Sequence, residues 1–408
     1  MPNNNENKVL NVPNLRFPEF TGEWEKYPLT DFMSFKNGMN PDAKRFGSGT
    51  KFISVMDILN NQYICYDNIR ASVELQEGDL DTYGVNYGDI VFQRSSETLE
   101  DVGQANVYLD CKPAIFGGFV IRGKSKGNYN PLFLRYLLAS PTARKRIIVK
   151  GAGAQHFNIS QDGLSKVVID VPNIDEQEKV GKLLQCIDER IATQNKIIDK
   201  LQSLISGIIQ NAIQKGLNDN TWKMIYLSKL LTERKEKNSN GYEVNSVSVS
   251  EGVINQIEYL GRSFAASDTS KYNVVRYGDI VYTKSPTGNF PYGIIKQSFQ
   301  KHPVAVSPLY GVYEPYSNEA GCFLHYYFLS SIVTTNYLSP LIQKGAKNTI
   351  NISNQTFLNN MVPYPKEEVG IRPIAALLRN VQIKLNIERL SLVLLEQQKT
   401  YLLRSMFI

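Results

Sequence analysis

The chain has 408 residues, 42% of them hydrophobic and 21% charged, and a formal net charge of +6, the profile of a globular protein with two or three domains. It has no run of about 18 apolar residues to predict a membrane span, and the polar stretch Met1 to Lys8 lacks the apolar core of a secretory signal. Four cysteines without a CxxC pair and three scattered histidines predict no zinc site, so the expectation is a reduced, metal-free, cytoplasmic protein.

In chain order, Trp24-Glu25-Lys26-Tyr27-Pro28-Leu29 opens a first module. Short β-prone runs follow, bounded by Gly, Asn, Asp and Pro: Lys51 to Val55, Ile90 to Phe92 and Gly118 to Ile121. A helix is predicted from Pro131 to Ala139, and a Pro-bearing strand, Val167 to Pro172, closes the module. A second module then repeats the order. It opens with Trp222-Lys223-Met224-Ile225-Tyr226-Leu227 and continues through Ser246 to Val249, Ile280 to Tyr282 and Leu309 to Tyr313. A helix from Cys322 to Ser331 and a strand from Met361 to Pro365 end it.

The repetition is literal in places. Tyr87-Gly88-Asp89-Ile90-Val91 returns as Tyr277-Gly278-Asp279-Ile280-Val281, an offset of 190. Phe133-Leu134-Arg135-Tyr136 answers Phe323-Leu324-His325-Tyr326, and Asn158-Ile159-Ser160 answers Asn351-Ile352-Ser353. A period of this length is a domain plus a connector, far beyond a solenoid repeat. Two similar halves suit a partner that is itself quasi-symmetric.

Each module is followed by a helix of another kind. Leu184, Ile187, Ile191, Ile198, Leu201, Ile205, Ile208 and Ala212 keep a 3-4 spacing interrupted only at Gln194. Adding 194 gives Leu378, Val381, Leu385, Leu392, Leu395, Lys399, Leu402 and Met406, with Glu388 at the interruption. Neither stripe can be buried by its own helix, so the two are predicted to pair as a coiled coil. About 28 residues make a rod of roughly 42 Å.

Gly118-Phe119-Val120-Ile121-Arg122-Gly123-Lys124-Ser125 satisfies the phosphate-loop pattern GxxxxGK[ST]. The residues between its glycines are strand-like, Lys126 to Pro131 cannot start a helix, and the second half has no counterpart, so no nucleotide site is expected. Asp89 and Asp279 sit in Tyr-Gly-Asp turns, where bonding to their own backbone is the expected role. No carboxylate-plus-lysine nuclease cluster and no catalytic triad stands out. The chain reads as a binder with no catalytic residues.

Side chains that can bond base edges or phosphates gather after the repeated strand. They are Gln93, Arg94, Ser95 and Ser96 in one half, and Thr283, Lys284, Ser285 and Thr287 in the other. Basic residues gather before the repeated Gly-Ala: Arg144, Lys145, Arg146 and Lys150, then Lys344 and Lys347. Asn158 and Asn351 are expected either to contact a ligand or to cap the following turn.

Pro13-Asn14-Leu15-Arg16-Phe17-Pro18-Glu19-Phe20 with Trp24, the doubled Tyr-Gly-Asp-Ile-Val, the doubled Asn-Ile-Ser and the two heptad helices together resemble the specificity subunit of type I restriction–modification systems. The resemblance covers essentially the whole chain. It implies an α+β fold: two similar mixed α/β target-recognition domains, each followed by a long helix, with the helices pairing as an antiparallel coiled coil. The domains would span 14–172 and 216–365, and the spacer helices 173–215 and 366–408. Each domain would read one half of a bipartite, asymmetric target in double-stranded DNA, with the paired helices as the ruler between them. Two modification subunits carrying S-adenosylmethionine would dock on the chain, joined by two motor-nuclease restriction subunits using ATP and Mg, which leaves this chain no cofactor of its own. The repeat and coiled coil alone also fit a different function, a non-catalytic scaffold whose modules grip two copies of a protein partner.

Overall fold

The computed structural model describes residues 10–153, 155–262, 265–344 and 350–408. The β-prone runs become short strands because turn residues interrupt them every few positions. In the first module the opening strand, Glu25–Pro28, pairs antiparallel with the closing one, Val168–Val171. In the second, Trp222–Tyr226 pairs in the same way with Met361–Pro365. Each module therefore fastens its own beginning to its own end.

Between these ends lies an antiparallel four-stranded sheet. Its order in the first module is Met33–Asn37, Val120–Ser125, Ile90–Gln93, Ala105–Val107. In the second it is Leu231–Glu233, Gly311–Pro315, Ile280–Tyr282, Ile295–Gln297. The register repeats as well: Phe92 faces Ile121, and Tyr282 faces Gly311, both partners shifted by 190. The strands Ile90–Gln93 and Ile280–Tyr282 are wholly buried, which explains their unbroken apolar sequence.

The Tyr-Gly-Asp turn has the role expected of it. Gly88 and Gly278 take φ of 88° and 89°, a conformation that favours glycine. Asp89 accepts from the amides of Asn86 (2.9 Å) and Ser125 (2.8 Å). Asp279 accepts from the amide of Arg276 (2.8 Å) and from the Arg234 guanidinium (2.7 and 3.0 Å). Burial pushes both carboxyls up, and these donors oppose it. The segment Gly123-Lys124-Ser125 completes the strand Val120–Ser125, and the next helix begins only at Pro131. A phosphate loop running directly into a helix is therefore not formed there.

The predicted helix Pro131–Ala139 forms, capped by the Asn130 side chain on the Phe133 amide. The counterpart expected from Cys322 to Ser331 is two helices, Asn318–Tyr327 and Ser331–Leu338, with Ser317 and Ser330 as caps. Serine caps outrank the apolar run in setting those bounds.

The long helices span Ile174–Asn218 and Arg372–Ser405. The chain parts into two units, residues 1–195 with 391–408, and residues 196–390. Both helices are divided between the units. Within the first unit the helices run antiparallel. Lys399 pairs with Asp188 (2.6 Å), and Leu402 and Met406 share one core with Leu184 and Ile187. In the second unit Ile198, Ile205, Leu378, Val381 and Leu385 are buried. Leu395 is buried too, and Ile191, Leu201, Ile208 and Leu392 are half-buried, so the heptad stripe is the seam.

The modules grip the helices through equivalent residues. Asp188 accepts from Tyr136 Oη (2.8 Å) and lies 3.6 Å from the Arg135 guanidinium. In the second unit Tyr326 Oη donates to Gln382 (3.3 Å), the position 194 beyond Asp188. His325 replaces Arg135 and is fully enclosed, with its Nδ1 accepting from the Gln297 amide (3.1 Å). Burial, with a smaller push from Lys296, lowers its pKa to about 3. A folded value below the unfolded one of about 6.5 gives stability that is complete above pH 6.5 and lost as pH falls toward 3. Stability is expected to drop by about 1.4 kcal/mol per pH unit below 6.5. Urea midpoints taken between pH 7 and 5 test this, and His325→Gln should flatten the slope.

Candidate nucleic-acid interface

The two segments singled out separately in the first half meet at one end of the buried strand. Ser95–Ser96 pairs antiparallel with Phe157–Asn158, and the Ser95 hydroxyl bonds the Asn158 side chain. The Ile159 amide donates to the Arg94 carbonyl (2.9 Å), so Arg94 is held between the two segments. Its own amide donates to the Phe119 carbonyl (2.9 Å) and its Nη1 to that of Gly118 (3.2 Å). Arg94, Ser95 and Ser96 remain half-exposed on this edge.

The second half repeats the arrangement with other side chains. Lys284 donates to Asn354 Oδ1 (2.6 Å), the residue after Asn351-Ile352-Ser353. Asn354 Nδ2 in turn donates to Glu233 (2.6 Å), and Tyr313 Oη donates to Asn354 Oδ1 (3.2 Å). Burial lowers the Lys284 pKa, and Glu233 opposes the shift. Lys284 also adopts φ of 56°, a left-handed backbone that is costly for a lysine. Strain of this kind persists only where neighbours impose it, and it concentrates at ligand-contacting sites. Ser285 is exposed and Thr287 half-exposed beside it.

Several sequence candidates are bound into their own module. Gln93 is buried with its amide donating to the Ser95 carbonyl (2.9 Å), and Thr283 is buried with its hydroxyl accepting from the Ile294 amide (3.1 Å). Both faces of these strands are covered, and the two side chains are enclosed at their ends. Arg144 donates to the carbonyls of Glu100 (2.8 Å) and Val102 (2.7 Å), and burial lowers its pKa. Arg146 pairs with the buried Asp170 (2.6 Å). Gln93 and Thr283 are thus enclosed, while Arg144 and Arg146 are half-exposed and already hold partners in their own module. Lys145 and Lys150 are exposed, whereas Lys347 and the side chain of Lys344 lie outside the described residues.

In each Asn-Ile-Ser the serine caps the helix that follows; the side chain of Asn351 lies outside the described residues. Ser160 accepts from Gly163 (2.9 Å) and Ser353 from Thr356 (3.0 Å), each opening a short helix, while Ile159 and Ile352 are buried. Sequence reasoning missed Asn354 and Glu233, whose only signal was their place beside repeated motifs. Among the described residues no acidic, histidine and cysteine cluster could hold a metal, and no helix is long and apolar enough to cross a membrane.

Each module thus offers one braced edge carrying a basic residue among hydroxyls and amides, groups that bond phosphates and base edges. Residues 21–203 match the family model of the type I restriction modification DNA specificity domain. A putative type I restriction enzyme MjaX specificity subunit of Methanocaldococcus jannaschii is 24% identical over 215 residues, 52% of this chain and 50% of that protein. Residues 21–203 thus match a type I specificity domain, and the chain is similar to type I specificity subunits. The EcoKI specificity subunit of Escherichia coli K12 is 21% identical over 185 residues, 44% of this chain and 39% of its own length. The chain therefore spans about half the length of the first of these relatives and less of the second. In fold, it is similar to the crystal structure of a type I system S subunit from M. genitalium, with a TM-score of 0.60 at 15% identity over 97% of this chain and 99% of that one.

Proposed function

We propose that this chain is the DNA sequence-recognition subunit of a type I restriction–modification complex, each module reading one half of a bipartite, asymmetric target. The observation that carries this reading is the braced edge built twice on one frame with different side chains. Arg94 is held to Phe119 and Ile159 in one module, and Lys284 to Asn354 in the other. A scaffold gripping two copies of one protein would need two like edges, and these differ. Lys145 and Lys150 supply phosphate contacts, which strengthen binding without selecting sequence.

The paired helices set the distance between half-sites and dock two modification subunits, which two motor-nuclease subunits join. On the second long helix Ile383, Ile387 and Leu390 form an exposed apolar row at i, i+4 and i+7, suited to such a partner. S-adenosylmethionine, ATP and Mg belong to those subunits, and this chain, working in the cytoplasm, is not itself catalytic. The test is methylome sequencing of a host with and without the chain, and with Arg94→Ala or Lys284→Ala. The bipartite motif should depend on the chain. Arg94→Ala should relax the first half-site alone and Lys284→Ala the second alone, with a loss of about 1–3 kcal/mol at the affected bases. Relaxation of both halves by either variant would contradict the assignment.

A further inference from the structure

Phe119, whose carbonyl accepts from the Arg94 amide (2.9 Å), is an exposed apolar side chain that the core does not use, and Leu309 is its counterpart in the second module. Phe119 is 68% exposed and Leu309 72% exposed. They occupy one place in the frame: Ile121 faces Phe92, Gly311 faces Tyr282, and Phe119 and Leu309 each lie two residues before those partners. Neither sits on a loose loop. Around Phe119, the Gly38 amide donates to the Val120 carbonyl (3.1 Å) and the Val120 amide to the Gly117 carbonyl (2.9 Å). A Cβ on Gly118 would meet the Asn40 side chain, which packs against this turn. Around Leu309, the Tyr310 amide donates to the Ser307 carbonyl (3.0 Å), and the buried Asn273 side chain donates to the Tyr310 carbonyl (2.8 Å).

The opposite end of the same strand is a useful contrast. There the exposed residue is identical in the two modules, Tyr87 and Tyr277, each 63% exposed. At the Arg94 and Lys284 end the exposed apolar residues differ, as two different half-sites would demand.

We propose that Phe119 and Leu309 are specificity-determining residues, each pressing on the C5-methyl of a thymine in the major groove of its own half-site. This rests on the DNA-reading function proposed above. An apolar group held rigidly beside a cation and hydroxyls matches the major-groove edge, where a methyl stands among donors and acceptors; the minor groove offers no methyl. Both half-sites are therefore expected to contain an A·T pair.

The experiment uses the chain assembled with its modification partners. The probes are duplexes carrying the motif read from the methylome, with thymine or with deoxyuridine in one half-site. Deoxyuridine in the first half-site should weaken wild-type binding roughly fourfold, the value of about one buried methyl. Phe119→Ala should weaken binding to the thymine duplex by roughly tenfold and abolish the thymine–deoxyuridine difference there, while Phe119→Leu should keep part of it. Leu309→Ala should do the same for the second half-site only. A half-site without an A·T pair, or a Phe119→Ala loss that is equal on both duplexes, would overturn the inference while leaving the DNA-reading function intact. A wild-type complex with no preference for the bipartite duplex would instead overturn that function.

Discussion

Asp188→Ala is expected to destabilise the first unit by about 3–5 kcal/mol. The carboxylate is almost fully enclosed and serves three groups at once: Lys399 on the other long helix (2.6 Å), Tyr136 of the module (2.8 Å) and the Arg135 guanidinium (3.6 Å). Removing it leaves Lys399 and the buried phenol without this acceptor and Arg135 with only Asn106 (3.2 Å), and uncompensated burial is the costly half of such a network. Asp188→Asn keeps an acceptor for Tyr136 but loses the charge, so its loss should be intermediate. The second unit fastens its module through Tyr326 and Gln382 and should hold its midpoint. Chemical denaturation followed by hydrogen exchange separates the units. A change below about 1 kcal/mol would mean that the apolar seam alone joins module and helix.

How legible this was depended on what each residue answers to. The heptad stripes were readable because burial in a long helix depends on spacing alone, and Leu184, Ile187, Leu378, Val381 and Leu385 are all buried. The strand Ile90–Gln93 and the helix Pro131–Ala139 were readable for a similar reason, an unbroken apolar run in one case and an Asn-Pro start in the other. The interface was legible in place but not in detail. Type and position put Gln93 and Thr283 among the contacts, yet both are buried at the ends of strands covered on both faces. Arg144 and Arg146 were indistinguishable from Lys145 in sequence, because their acceptors, two carbonyls and Asp170, come from distant segments. Phe119 and Leu309 share no residue type. Only the repeated register reveals that they occupy one position.

Replacing residues 14–172 with the equivalent module of a related specificity subunit is expected to have the largest effect on function. It should exchange one half-site completely and leave the other untouched, because every residue assigned to reading the first half lies within that stretch. The graft must keep Arg135 and Tyr136, which meet Asp188, and Arg16 and Trp24, which meet the buried Glu176 at 2.7 and 3.3 Å. Otherwise loss of docking would be mistaken for loss of reading. The direct measurement is methylome sequencing of a host that carries the grafted chain with its modification partners. The account predicts a bipartite motif with one new half, one original half and an unchanged number of bases between them. A motif altered in both halves, or an unaltered one, would contradict it.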